Sequence, residues 1–326
     1  MLSTPRFLKR STMSGATASA LASRARECAL SAAWAQWGAL NPMLLSEQGA
    51  ASPASVIDPE ALVLAALALW DEERRLVDVL AWWARLGAPL MSLRRAGTLS
   101  RDFPAAAPAR FDEFATWARQ GGDTRWKGSE SGTVPVRAGK GPSELVLRGS
   151  STLLLRLRAG FGVTAKPDVL AFLLALDGRG ATSKDIVQAT GYADKNIRVA
   201  GQELATGGFL EERSGYPLAY AAPHGFAHGF VRLIERDAAD VEVPEWGYWA
   251  AVYAFLLTAA SWEDPPRAAE RYVLSSHARD LFERYAWLFD RVGMRVPDPR
   301  RYRGEHYLDA FSETLDMLCE WVSGHA

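Results

Sequence analysis

The chain has 326 residues, 48% hydrophobic and 23% charged, enough for two or three domains with a sizeable core. Its 37 basic and 38 acidic residues leave a net charge of −1, which excludes a nucleic-acid binder whose whole surface is basic but leaves room for a local patch. Two cysteines, Cys28 and Cys319, lack CxxC partners, which speaks against a zinc knuckle or disulfide framework and for a reducing, cytoplasmic compartment.

In chain order, residues 1–25 read as a disordered tail. The first 26 residues are rich in Ser, Thr, Ala and Arg and contain no acid. That composition fits a tail, a start at Met13, or a transit-peptide-like leader. An N-terminal helical domain is expected over 26–120. Arg26 to Ala39 places Leu30, Ala33, Trp34 and Trp37 on one face. Asp58 followed by Pro59 is a strong helix start, and a second helix from Glu72 to Leu86, closed by Gly87, completes a hairpin. Phe111 to Arg119 adds a short amphipathic helix after the Ala105–Pro108 break. Residues 121–143 shift to Gly, Ser, Pro and Lys, a linker composition. Glu144 to Gly160 is expected to be a helix docked beside the next segment of the chain.

The stretch from Pro167 to Ala222 has the pattern helix, helix–turn–helix, β-ribbon. Its first helix would bury Val169, Leu170, Leu173 and Leu174, and Asp177-Gly178 would end it. Thr182 or Ser183 would cap the second helix, which buries Ile186 and Val187, and Gly191 would make the turn. The third helix, from about Asp194 to Thr206, carries Ile197, Ala200, Gly201 and Leu204 as one inward stripe. Phe209-Leu210 would open the first wing strand, and Ser214-Gly215 the hairpin turn.

On SKDIVQATGYADKNIRVAGQELATGGFLEE, about 56 residues with their surroundings, the chain resembles the winged helix-turn-helix superfamily in the style of MarR-like and ArsR-like bacterial regulators. The resemblance implies a mainly α-helical protein, with a winged helix and small β-wing over 144–223 between helical flanks. It also implies a transcriptional regulator whose recognition helix enters the major groove of double-stranded DNA as a homodimer. The DNA-contacting residues would be Thr182, Ser183, Lys184, Lys195, Asn196, Arg198, Gln202 and Arg213. From Lys166 to Pro223, however, six basic residues face seven acidic ones, unusual where phosphate neutralisation supplies affinity. A winged-helix adaptor or antitoxin-like partner that binds protein is therefore the alternative.

The C-terminal helical region, 224–326, contains Val231–Arg236, a Trp246-Trp249-Tyr253-Leu257 stripe, and two long helices. In Arg267–Val292 the inward positions would be Tyr272, Leu281, Tyr285 and Leu288; Tyr307–Val322 presents Leu308, Phe311, Leu315, Leu318 and Trp321. The apolar run from Tyr248 to Ala260 is too short for a membrane span and reads as a buried helix. His224 and His228 fall in the Gly-rich PHGFAHGF, a surface loop rather than a metal site. Glu305-His306 has no partner for acid–base chemistry, and no catalytic or phosphate-loop motif occurs. No enzyme activity, cofactor or metal is expected. Two short runs, Asp58-Pro59-Glu60-Ala61-Leu62 and the LRLRAGFG ending at Gly162, stand out without suggesting an activity.

Overall fold

The computed structural model describes residues 17–41, 53–128, 144–145, 147–215, 217–234, 242–262 and 270–326. Most of the predicted tail and linker, residues 1–16 and 129–143, lies outside them. The protein is mainly helical: fourteen α-helices and one three-stranded sheet are present among the described residues. No helix among these residues is long and apolar enough to cross a membrane.

The first helix, α1 (Ala18–Leu40), starts upstream of the expected Arg26 because Thr17 caps it, its hydroxyl accepting from the Ala20 amide. In α2 (Pro59–Leu69) Asp58 is the N-cap and Pro59 the first residue, as expected. Every side of α2 is apolar beyond Glu60, so no face suits water and the helix runs through the interior. Around it lie α3 (Arg75–Leu86), α4 (Leu93–Leu99), α5 (Ala106–Ala109) and α6 (Phe111–Gln120). Trp126, within the predicted linker, is buried against Phe111 and Phe114.

The same core continues into the far end of the chain. Residues of α12 (Trp249–Ala260), α13 (Glu270–Arg291) and α14 (His306–His325) join those of α1–α3 and α6 in one hydrophobic cluster. The N- and C-terminal helical regions, distinct in sequence, are thus one body. The Tyr248–Ala260 run is a buried helix, and Leu281, Tyr285 and Leu288 point inward. Tyr272 does not: it is 60% exposed, while Leu274 and Ala278, on another face of the same helix, are buried.

A second core belongs to the middle of the chain. The described residues between 144 and 149 are not helical; a 3₁₀ turn at Ser150–Thr152 leads into α7 (Leu153–Phe161), followed by α8 (Ala165–Ala175). Next come β1 (Ala181–Thr182), α9 (Ser183–Thr190), α10 (Asp194–Thr206), β2 (Glu211–Arg213) and β3 (Ala219–Ala221). The sheet order is β1-β3-β2, all antiparallel, with Tyr220 paired to both Ala181 and Glu212. The strand expected from Phe209 begins at Glu211, because Gly207 and Gly208 unwind the chain after α10 and the Phe209 amide still bonds back to Leu204. Finally α11 (Phe226–Ile234) makes the second half of PHGFAHGF helical, where a loop was expected: Ala227 and Val231 anchor it in this core.

Glycine is required at two places here. Gly191 ends α9 with φ +72°, the left-handed conformation that makes the turn into α10. Gly201 lets α10 lie directly on β3, because a Cβ there would stand 2.6 Å from Cζ of Tyr220. Gly201→Ala is expected to lower stability by about 1–3 kcal/mol through overpacking. Urea unfolding measures this, and a neutral result would mean that the α10–β3 contact yields freely.

Candidate functional site

The polar face of α10 is set by the opposite stripe. Ile197, Ala200, Gly201 and Leu204 are buried, as the spacing predicts. Lys195, Arg198, Val199 and Gln202 are therefore exposed, with Asn196 half-buried at the edge. Lys195 and Asn196 border a groove of about 430 Å³ between α10 and the N-terminal part of α8. The sequence reading missed two cations beside it: Arg94, from α4, and Lys166, from α8. Lys166 is paired with Glu203 at 2.8 Å, and Arg198 with Asp194 at 2.8 Å, both on the surface where such pairs are weak.

The other predicted contacts are placed less favourably. The Thr182 hydroxyl donates to Asp185 at 2.7 Å and accepts from its amide, closing a capping box rather than facing outward freely. Ser183 is buried, whereas Lys184 is exposed. Arg213 is exposed but not at a free tip, since Nη2 donates to the Gly178 carbonyl at 2.7 Å and holds the edge strand against the turn after α8. Asp185 is engaged by Arg291 of α13. Burial opposes the charge on Asp185, but the Thr182 hydrogen bonds and Arg291 outweigh it and hold the carboxyl below its ordinary range.

Beneath this surface lies a cluster of five buried ionisable groups. Asp58 and Glu60 come from the start of α2, Arg95 from α4, Arg158 from α7 and Asp168 from α8; none is more than 4% exposed. Arg158 is bound on all three of its nitrogens. Nη1 and Nη2 donate to Glu60 at 2.6 and 3.0 Å, Nη2 and Nε to Asp168 at 2.6 and 3.1 Å, and Nη1 to the Leu90 carbonyl at 3.0 Å. Arg95 donates to both oxygens of Asp58 at 2.6 and 2.5 Å, to Glu60 at 2.5 Å, and through Nε to the Thr190 carbonyl at 2.5 Å. The Ser92 amide completes Glu60 at 2.6 Å.

Three carboxylates face two guanidiniums, and the environments push their titrations apart. Burial raises Asp58, but Arg95 and the Ala61 amide outweigh it and hold its carboxyl below the usual value. For Asp168 burial prevails over Arg158 and Arg95, aided by Glu60, and its carboxyl is raised. Burial also pushes the Tyr192 phenol up; its hydroxyl donates to the Thr164 carbonyl at 3.4 Å.

The cluster unites the two runs that stood out in the sequence, Asp58-Glu60 and the LRLRAGFG segment with Arg158. A signal was available: charges at the start of a wholly apolar helix, and Arg158 inside a leucine run, must find partners if buried. Which partners they find is not encoded locally. The bond from Arg95 to Thr190 ties α4 to the last residue before the Gly191 turn, so the cluster also fixes where α10 begins.

His228 sits on α11 with Nδ1 3.9 Å from Asp177, while His224 precedes that helix. No group of three or more His, Cys, Asp or Glu side chains that could hold a metal occurs among the described residues. No protein-family model matches the chain, and neither do the curated proteins or solved structures compared with it.

Proposed function

We propose that α8 to β3 form a winged helix-turn-helix and that the protein binds double-stranded DNA as a transcriptional regulator, with α10 as recognition helix. The observation that carries this reading is the polar face of α10, with Lys195, Arg198 and Gln202 exposed and Asn196 half-buried at its edge, held outward by a buried opposite stripe. Asn and Gln suit adenine edges, Arg and Lys guanine or phosphate. The order α8-β1-α9-α10-β2-β3 and the sheet order β1-β3-β2 support it.

Electrostatics become more favourable once placed in three dimensions. Asp168 is sealed in the interior and offers no field to a surface ligand of the kind an exposed acid would. Asp185, Asp194 and Glu203 are each paired to a cation, and Arg94 and Arg291 bring positive charge from outside the segment. The wing is the opposing feature, since Glu211 and Glu212 are exposed on β2. It favours the rival reading, an adaptor that docks on protein.

A salt titration with random-sequence duplex separates the two. With Lys184, Lys195, Arg198, Arg94 and Lys166 meeting phosphates, log affinity should fall against log salt with a slope of about −4.5. Binding undetectable at ~50 mM salt would sink the DNA reading and leave the protein adaptor.

A further inference from the structure

The only two cysteines of the chain, Cys28 on α1 and Cys319 on α14, are far apart in sequence and adjacent in space. Their meeting results from how the two helices pack. Arg24 of α1 reaches Asp316 of α14 at 2.6 Å and the Ser312 hydroxyl at 2.5 Å. One turn further along each helix, on the same faces, come Cys28 and Cys319. The two side chains are in hydrogen-bonding contact there. Cys28 belongs to the buried core, and Cys319 lies at its rim, half-buried.

We propose that Cys28 and Cys319 form a reversible intrachain disulfide that staples α1 to α14, made by exchange with a small-molecule disulfide such as oxidised glutathione. The asymmetry assigns the order of events. Cys319 is half-buried and reachable, and the hydrogen bond from Cys28 draws its thiol down against burial and the neighbouring Asp316 charge; the same hydrogen bond and burial push Cys28 up. The Cys319 thiolate attacks one sulfur of oxidised glutathione, breaking its S–S bond and releasing one glutathione thiolate. Cys28 then loses its proton to that thiolate and attacks Sγ of Cys319, displacing the second glutathione. Two protein thiols are oxidised by two electrons, and one glutathione disulfide is reduced to two thiols that carry the two protons.

The staple would close a loop spanning nearly the whole chain and clamp the helical body that α1 and α14 share with α4, whose Arg94 borders the α8–α10 groove. The experiment is to equilibrate the full chain in glutathione buffers of increasing oxidation, trap free thiols by alkylation, and weigh the intact protein. Expected is joint loss of both alkylatable thiols, a peptide cross-link between Cys28 and Cys319, and a melting temperature higher by a few degrees. Cys28→Ser should accumulate a glutathione adduct on Cys319, whereas Cys319→Ser should keep Cys28 as a free thiol. Two free thiols persisting in fully oxidised glutathione, or an adduct on the wild-type chain without the cross-link, would overturn the proposal. So would a cross-link that forms only after unfolding.

Discussion

Arg158→Met is expected to lower the unfolding free energy by about 3–5 kcal/mol, the usual cost of removing one partner from a buried ion pair. Met is likewise long and unbranched, so lost packing is not the main effect. The substitution leaves Glu60 with Arg95 and the Ser92 amide, and Asp168 with only Arg95 Nε at 3.8 Å. A buried carboxyl so poorly partnered must take up a proton or draw in water. Adding Asp168→Leu should therefore recover a large part of the loss, since an apolar pair of similar volume is often as stable as the ion pair it replaces. Urea unfolding of the two variants makes the comparison. A cost below about 1 kcal/mol for Arg158→Met would show that the cluster does not hold α7 and α8 to α2.

Lys195→Ala combined with Arg198→Ala is expected to weaken duplex binding by about 10²-fold or more, at roughly 1–3 kcal/mol for each base or phosphate contact. Arg198 must leave Asp194 to reach DNA, which costs little because the two side chains are 67% and 50% exposed. The slope of log affinity against log salt should also become shallower by about one to two. Both substituted side chains are exposed, so the melting temperature of the double variant serves as a control and should not move. Fluorescence anisotropy with a labelled duplex reads the affinity. An unchanged affinity in a chain that still binds DNA would remove this face of α10 from the interface and direct attention to the Arg94 and Lys166 side of the groove.

These two experiments address different layers, and the sequence was unequally informative about them. The surface layer was legible because helical spacing decides it: once Ile197, Ala200, Gly201 and Leu204 turn inward, Lys195, Arg198 and Gln202 have nowhere to go but out. Gly191 and the Thr182 cap were legible for a similarly local reason, as each satisfies a backbone requirement within four residues. The bond from Arg213 to the Gly178 carbonyl was not legible, because that partner lies across the ribbon. Tyr272 was misjudged because a long helix packed on several neighbours buries whichever face they select, here the one with Leu274, Ala278 and Leu281.

The sequence by itself determined α2, α9 and α10, the Asp58 and Thr182 caps and the stripe that orients α10, since these depend on periodicity and on hydrogen bonds between residues close in the chain. Only the tertiary structure decided that both helical ends form one core, that Arg94 and Lys166 border the α10 groove, and that Cys28 meets Cys319. It alone decided, too, that Asp58, Glu60, Arg95, Arg158 and Asp168 share one buried site. The physical reason is that burying a charge demands a partner without naming one. Which guanidinium meets which carboxylate is settled by how α2, α4, α7 and α8 stack, and nothing within a few residues of any of the five contains that information.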